Sequence, residues 1–345
     1  GPLWKILVIR ENNKIVTLVF KAHHIIFDLQ SSEIFIDRLF ARYRQHAGIE
    51  TDYHSPSAIQ YKEFTAWERK ALIDIGQEAL HFFSDRAYDY NLLSFPFEQK
   101  AISDANIEIT GSLSSEQSSA LDTFCTVNSL TRYQVILSVL SILIYDFSGI
   151  SKITIGTSVS TRLRREFQQQ IGLYINQLPI AINLNSQLDI LTFMQIVRKE
   201  VVNTFKHSVY PLDLIKRDVQ QSTGKQVKEL FNLMLDVGLP RNHYNSVELS
   251  LPLELLIETI VPQKAKFDLS FHFSEVGIVE GQMQYRRDKF PNEEMQKLFE
   301  RLQQFLASID HFSQKSISKV ISEFRRENLT RRLELKKQVN ENIKS

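Results

Sequence analysis

Apolar and polar positions alternate along Trp4–Arg10 and again along Lys14–Lys21, and the polar triplet Glu11-Asn12-Asn13 separates the two runs. Period-two alternation around a short polar break predicts a β-hairpin. Beyond Lys21 the period lengthens: Ile36, Leu39, Phe40 and Tyr43 recur at i, i+3, i+4 and i+7, with Asp37, Arg38, Arg42 and Arg44 between them. That spacing predicts an amphipathic helix reaching about His46. A strand-to-helix turn therefore falls on Lys21–Gln30. Two more helices are expected over Ala58–Asp74 and Gln77–Tyr88, after the polar loop Thr51–Pro56, and Asn91–Lys100 reads as a linker.

After this linker the pattern of elements starts again. Strands are expected at Ala105–Gly111, Lys152–Thr157, Leu178–Leu184, Leu230–Gly238, Lys266–Phe273 and Gly277–Arg287, the last two spaced as a hairpin. Helices are expected at Ser114–Val127, Thr131–Phe147, Asp189–His207 and Pro291–Ser308. Thr131–Phe147 is apolar nearly all round, which predicts burial, and Gly149 suits its end. Pro291–Ser308 carries the stripe Met295, Leu298, Phe299, Leu302 and Phe305. The tail from Ser316 reads as a charged helix facing solvent, with Arg325, Arg326, Arg331, Arg332, Lys336 and Lys337 on it. Strands and helices in mixed order predict α+β or α/β layers, with helices packed on sheets.

Composition narrows the class without naming a function. A chain of 345 residues suggests about two domains. A net charge of +1 marks neither a nucleic-acid binder nor a disordered chain. The single cysteine, Cys125, allows no internal disulfide and fits the cytoplasm; in a helical stretch it reads as a core residue. The longest apolar run, Val135–Tyr145, is too short to cross a membrane. His207 and His272 read as a helix-end residue and an exposed strand residue. No metal-ligand spacing, phosphate loop or nucleophile elbow is visible.

The chemistry concentrates in Lys21-Ala-His-His-Ile-Ile-Phe-Asp-Leu-Gln30. The histidines sit at the end of the strand, so His23 and His24 point opposite ways and at most one of them faces a given cleft. By itself the cluster is two strand-end histidines and a helix-capping acid. In its setting, however, His23-His-Ile-Ile-Phe-Asp28 resembles the HHxxxD motif of nonribosomal peptide synthetase condensation domains, relatives of chloramphenicol acetyltransferase. Other segments match that family in order: Tyr61-Lys-Glu-Phe-Thr-Ala-Trp67, Ile153-Thr-Ile-Gly-Thr-Ser-Val-Ser-Thr-Arg162, Ile171-Gly-Leu-Tyr-Ile-Asn-Gln-Leu-Pro179, Tyr210-Pro-Leu-Asp-Leu-Ile215, Phe267-Asp-Leu-Ser270 and Tyr285-Arg-Arg-Asp-Lys-Phe290.

The resemblance implies two acyltransferase-like lobes in a V, each a mixed sheet with helices on one face. The first, incomplete lobe would take residues 1–98, the second 101–315, and a helical tail or linker 316–345. It implies that His24 is the catalytic base or charge stabiliser, that Asp28 and His23 are structural supports, and that Leu29, Gly156, Ser158 and Asn176 line a substrate tunnel, with no metal. It implies joining of a carrier-bound acyl or peptidyl thioester to a carrier-bound amine. It implies no directly bound cofactor. Phosphopantetheine arms arrive on donor and acceptor carrier proteins, and adjacent synthetase modules are further partners. Four departures stand out. The chain starts just before the motif, so the sheet edge of the hairpin needs cover from upstream residues or a partner. Leu29 stands where the family has glycine. Only Arg10 precedes Asp28, although the family's acid is held by an earlier arginine. Ile180 and Ala181 follow Pro179 where an arginine is usual. Arg162, Arg164 and Arg165 read as a solvated basic run that could meet an acidic carrier. Two other functions stay open: a non-catalytic platform that docks carrier or tailoring proteins, and a free-standing acyltransferase.

Overall fold

The computed structural model describes residues 1–10, 16–48, 59–100, 105–238 and 266–326. The hairpin turn, the loop Thr51–Pro56 and the tail beyond residue 326 lie outside the described residues. The chain divides into two compact units: Gly1–Phe82 with Ser158–Gln177 and His207–Ile215, and Phe83–Thr157 with Leu178–Lys206 and Lys216–Ser345. The first unit thus takes in two segments that the sequence reading assigned to the second lobe. Ser158–Gln177 carries the Arg162 and Tyr174 that bind Asp28, and Asn176 in turn binds the Ser208 and Tyr210 carbonyls of His207–Ile215.

In the first unit, β1 (Trp4–Arg10) and β2 (Val16–Ala22) pair antiparallel, with Trp4 opposite Ala22 and Arg10 opposite Val16. Every residue of β1 is exposed, Ile6, Leu7 and Val8 included. Helix α1 (Leu29–His46) follows the turn and α2 (Tyr61–Asp85) comes next. Where two helices were expected, α2 runs unbroken through Gly76, whose missing Cβ faces open space. A lone glycine lowers helix stability by about 1 kcal/mol relative to alanine, but only proline removes a helical hydrogen bond and clashes with the preceding turn.

The second unit contains most of a six-stranded mixed sheet. In chain order the elements after α2 are β3 (Asn106–Ser112), α3 (Ser115–Val127), α4 (Arg132–Ser148), β4 (Lys152–Ser160), β5 (Ile175–Asn183), α5 (Ile190–Phe205), α6 (Leu212–Thr223), β6 (Leu233–Val237), β7 (Leu269–Phe273), β8 (Glu280–Arg286) and α7 (Asn292–Ala307). The strands lie in the order β3-β8-β7-β6-β4-β5. β6 runs parallel to β4 and β7, while β8 runs antiparallel to β7 and β3. Period-two burial sorts the faces: Leu269, Phe271, Phe273, Met283 and Tyr285 enter the core, whereas Ser270, His272, Gln282 and Gln284 occupy the opposite face. That core is shared with α3, α4, α5 and α7. Hence helices cover one face of a mixed sheet, as expected of an α+β acyltransferase lobe.

Local chemistry sets the helix ends. Ser114 with Gln117 and Thr131 with Gln134 form capping boxes at α3 and α4. Gly149 closes α4 at φ 75°, a backbone region that favours glycine. α6 was missed because its stripe is short and follows Pro211. No single helix among the described residues is long and apolar enough to cross a membrane.

The tail reading needs correction. Residues 317–326 are helical, and Ile317, Val320, Ile321 and Phe324 are buried in the second unit's core. This segment also meets the buried Asp146 carboxylate: Arg325 Nε donates to its Oδ1 at 2.7 Å and Arg301 Nη1 to its Oδ2 at 2.7 Å. Asp146→Ala is expected to destabilise the protein by roughly 1.5–3 kcal/mol, the cost of losing hydrogen bonds to a charged group. Denaturant melts check this, and an unchanged midpoint would show the pairs to be solvent-screened.

Candidate active site

The turn after β2 is built by its own side chains. The strand stops at Ala22, and His24–Ile26 form a single 3-10 turn, so strand alternation does not orient His24. His23 is exposed, and its Nδ1 accepts the Ile25 N–H at 3.1 Å, capping the turn. His24 is exposed as well, with its Nδ1 2.8 Å from the Phe27 carbonyl oxygen. A carbonyl can only accept, so this Nδ1 carries the proton. In their neutral forms the adjacent histidines therefore hold opposite tautomers: His23 is protonated on Nε2, whereas His24 leaves its Nε2 lone pair free.

Asp28 does not touch either imidazole among the described hydrogen bonds. It caps α1, with Oδ1 accepting from Ser31 N at 2.7 Å and lying 2.6 Å from Ser31 Oγ. Arg162 Nη2 donates to both carboxylate oxygens, at 2.9 and 3.0 Å, and Tyr174 N donates to Oδ2 at 3.0 Å. Asp28 and Arg162 are each 3% exposed. Arg162 is held in turn: Nη1 donates to the Phe167 and Gln170 carbonyls at 2.8 and 2.6 Å, and the guanidinium lies over the Tyr174 ring at 3.9 Å. Tyr174, Phe64 and Phe167 form a small buried aromatic core. Burial pushes the Tyr174 phenol up to about 12, so it stays a neutral donor to Gln170 Oε1 at 2.7 Å.

Two sequence expectations change here. Arg162 does not belong to a solvated basic run; it is the buried partner of the acid. That partner comes from a later segment, so Arg10 is not needed for it. The sequence reading also missed Ser31 and Gly172. Ser31 Oγ donates to Asp28 Oδ1 or to the Gly172 carbonyl at 2.9 Å and accepts from Gly172 N at 3.0 Å. The spacing Asp28-x-x-Ser31 is a usable signal for a capped turn, but nothing linear ties it to Gly172.

A family model described as "Condensation domain" matches residues 1–330. The chain belongs to the condensation domain family. Bacitracin synthase 1 of Bacillus licheniformis is 25% identical over 311 residues, which is 88% of this chain but 6% of that protein. The X-domain from teicoplanin biosynthesis superposes with a TM-score of 0.75 at 18% identity, covering 92% of this chain and 74% of that one. The first condensation domain of the calcium-dependent antibiotic synthetase gives a TM-score of 0.69 at 14% identity, covering 92% and 69%. At these identities the structural likenesses establish the fold.

The remaining site positions of this condensation domain divide into two groups. Leu29, the first residue of α1, is 43% exposed, and Ser158 on β4 is half-buried. Gly156 and Asn176 are committed elsewhere. An added Cβ on Gly156 would stand 2.2 Å from the Phe231 ring, so the position lies buried beneath that ring and lines no open surface. The Asn176 amide donates to the Ser208 and Tyr210 carbonyls at 2.9 and 2.7 Å and its oxygen accepts from Gln177 N at 2.9 Å. It therefore clamps the segment leading into α6. His207 is buried, its ring tilted against Phe82 with centroids 4.6 Å apart. His272 is half-buried rather than exposed, and burial pushes its pKa down. Burial raises the Cys125 thiol to about 11, so at neutral pH it is no thiolate nucleophile. Among the described residues no His, Cys, Asp and Glu group is placed to hold a metal.

Proposed function

We propose that this condensation domain forms an amide between a carrier-bound acyl or peptidyl thioester and a carrier-bound amine. One observation carries the reading: the exposed His24 has its Nδ1 proton fixed on the Phe27 carbonyl, so its Nε2 is available as a base or hydrogen-bond acceptor. The acceptor nitrogen attacks the thioester carbonyl. The C–N bond forms, the C–S bond breaks, and the phosphopantetheine sulfur leaves as a thiol with the proton that the amine gives up. His24 takes that proton or hydrogen-bonds the ammonium as it develops. Asp28 and Arg162 hold the turn rather than touch the reacting atoms. Donor and acceptor carrier proteins are the partners, and their phosphopantetheine arms supply the thiols.

The second reading, a docking platform without chemistry, is favoured by Leu29, which places an exposed side chain at the start of α1. Reconstitution of the intact protein with an acyl-loaded donor carrier and an aminoacyl-loaded acceptor carrier separates the readings. Mass spectrometry is expected to find an amide product on the acceptor carrier. A product only with a free alcohol or amine acceptor would favour a free-standing acyltransferase, and none in any arm would leave the platform.

A further inference from the structure

The Phe27–Asp28 peptide faces two ways. Its carbonyl accepts His24 Nδ1–H at 2.8 Å, while its N–H, on Asp28, donates to the Gly172 carbonyl at 3.2 Å. The same Gly172 residue is gripped by Ser31 Oγ, which lies 3.0 Å from its N and 2.9 Å from its O. We infer that Gly172 and Ser31 are positioning residues for His24, acting through the Phe27–Asp28 peptide; the catalytic consequence rests on the function proposed above.

A peptide plane is rigid, so fixing its N–H also aims its C=O and hence the imidazole that the C=O holds. A hydrogen bond to the N–H also polarises the peptide, making its oxygen a better acceptor. That favours the Nδ1–H tautomer of His24 and raises the basicity of Nε2, as a carbonyl behind the ring does for ligating histidines. Finally, Gly172 has no room for a side chain. An added Cβ would stand 2.4 and 2.7 Å from Tyr61 ring carbons and 2.8 Å from the Tyr174 ring. Neither ring moves freely: Tyr61 Oη donates to the Leu173 carbonyl at 2.7 Å, and Tyr174 lies beneath Arg162. In Gly172→Ala the backbone itself must retreat, taking its carbonyl away from Asp28 N–H. Ser31→Ala loosens the same carbonyl more gently. It deletes the hydroxyl while leaving the Asp28 cap on its backbone N–H.

The test is 15N NMR of histidine-labelled intact protein as a function of pH, with steady-state kinetics on carrier-bound substrates. In the parent, neutral His24 is expected to be mainly the Nδ1–H tautomer. In Gly172→Ala that fraction is expected to fall, and kcat to drop about tenfold, the size of one hydrogen bond expressed as a rate. KM should stay within about twofold if only the base is misplaced. In a His24→Ala background, Gly172→Ala should cost nothing further. Ser31→Ala should shift the tautomer in the same direction by less, and it carries the test alone if Gly172→Ala does not fold. A folded variant with an unchanged His24 tautomer overturns the inference. The NMR result stands even if no amide product forms, so failure of the positioning role and failure of the proposed reaction read differently.

Discussion

Replacing His24 with alanine is expected to slow transfer between loaded carriers by ~10²–10⁴-fold, the range for a positioned general acid–base group. The ring is exposed, so its loss opens no cavity and leaves no buried polar atom unsatisfied. Stability should therefore change by less than about 0.5 kcal/mol, and the kinetic loss reports on chemistry alone. His24→Gln is an informative companion, because it retains a hydrogen-bonding side chain without a titratable base. Activity near the parent's in the Gln variant would assign His24 to charge stabilisation and not proton transfer. His23→Ala should cost far less: His23 only caps the 3-10 turn through Ile25 N–H. Equal rates for His24→Ala and the parent, in single-turnover assays with both carriers loaded, would remove His24 from the reaction.

Asp28→Ala is expected to be the most destabilising change at the site, by ~3–5 kcal/mol, because it strands a buried arginine without its counter-charge. A helix cap alone would be worth ~0.5–2 kcal/mol. The larger figure applies because Asp28 and Arg162 are both buried and joined through both carboxylate oxygens. Arg162→Met in the Asp28→Ala background should recover part of the loss by removing the stranded charge. Urea melts of the three proteins decide this. A single mutant within about 1 kcal/mol of the parent would show that the pair contributes little net stability. Activity should fall in Asp28→Ala even where the protein remains folded, since the Asp28 N–H and Phe27 carbonyl belong to the peptide that aims His24.

Elements with a strong internal period were legible in the chain itself. α4, apolar on nearly every side, is buried as expected, and the α7 stripe enters the core at the positions read from its spacing. The β7–β8 pairing follows from two alternating runs with a short break. Boundaries and continuity were less legible. α2 passes through Gly76, because one permissive residue does not outweigh the packed turns on either side. The 317–326 helix shows many charges in sequence, yet its four apolar residues decide its place.

For the site, the sequence by itself determined the chemistry available: two histidines and an acid in one strand-to-helix turn, in family order with the motifs that follow. Local hydrogen bonds of short span, His23 to Ile25, His24 to Phe27 and Asp28 to Ser31, are consequences of that spacing. Tertiary structure alone decided which groups support them. Arg162 and Gly172 lie more than a hundred residues downstream, and nothing in a run of three arginines marks the one that is buried. Burial makes the difference, because a guanidinium removed from water must find its carboxylate, while its neighbours Arg164 and Arg165 remain at the surface. Nor could spacing show that Gly156 lies beneath Phe231 or that the Asn176 amide is spent on the Ser208 and Tyr210 carbonyls. A side chain's role depends on what the folded backbone places within about 3 Å of it, and that distance has no counterpart along the chain.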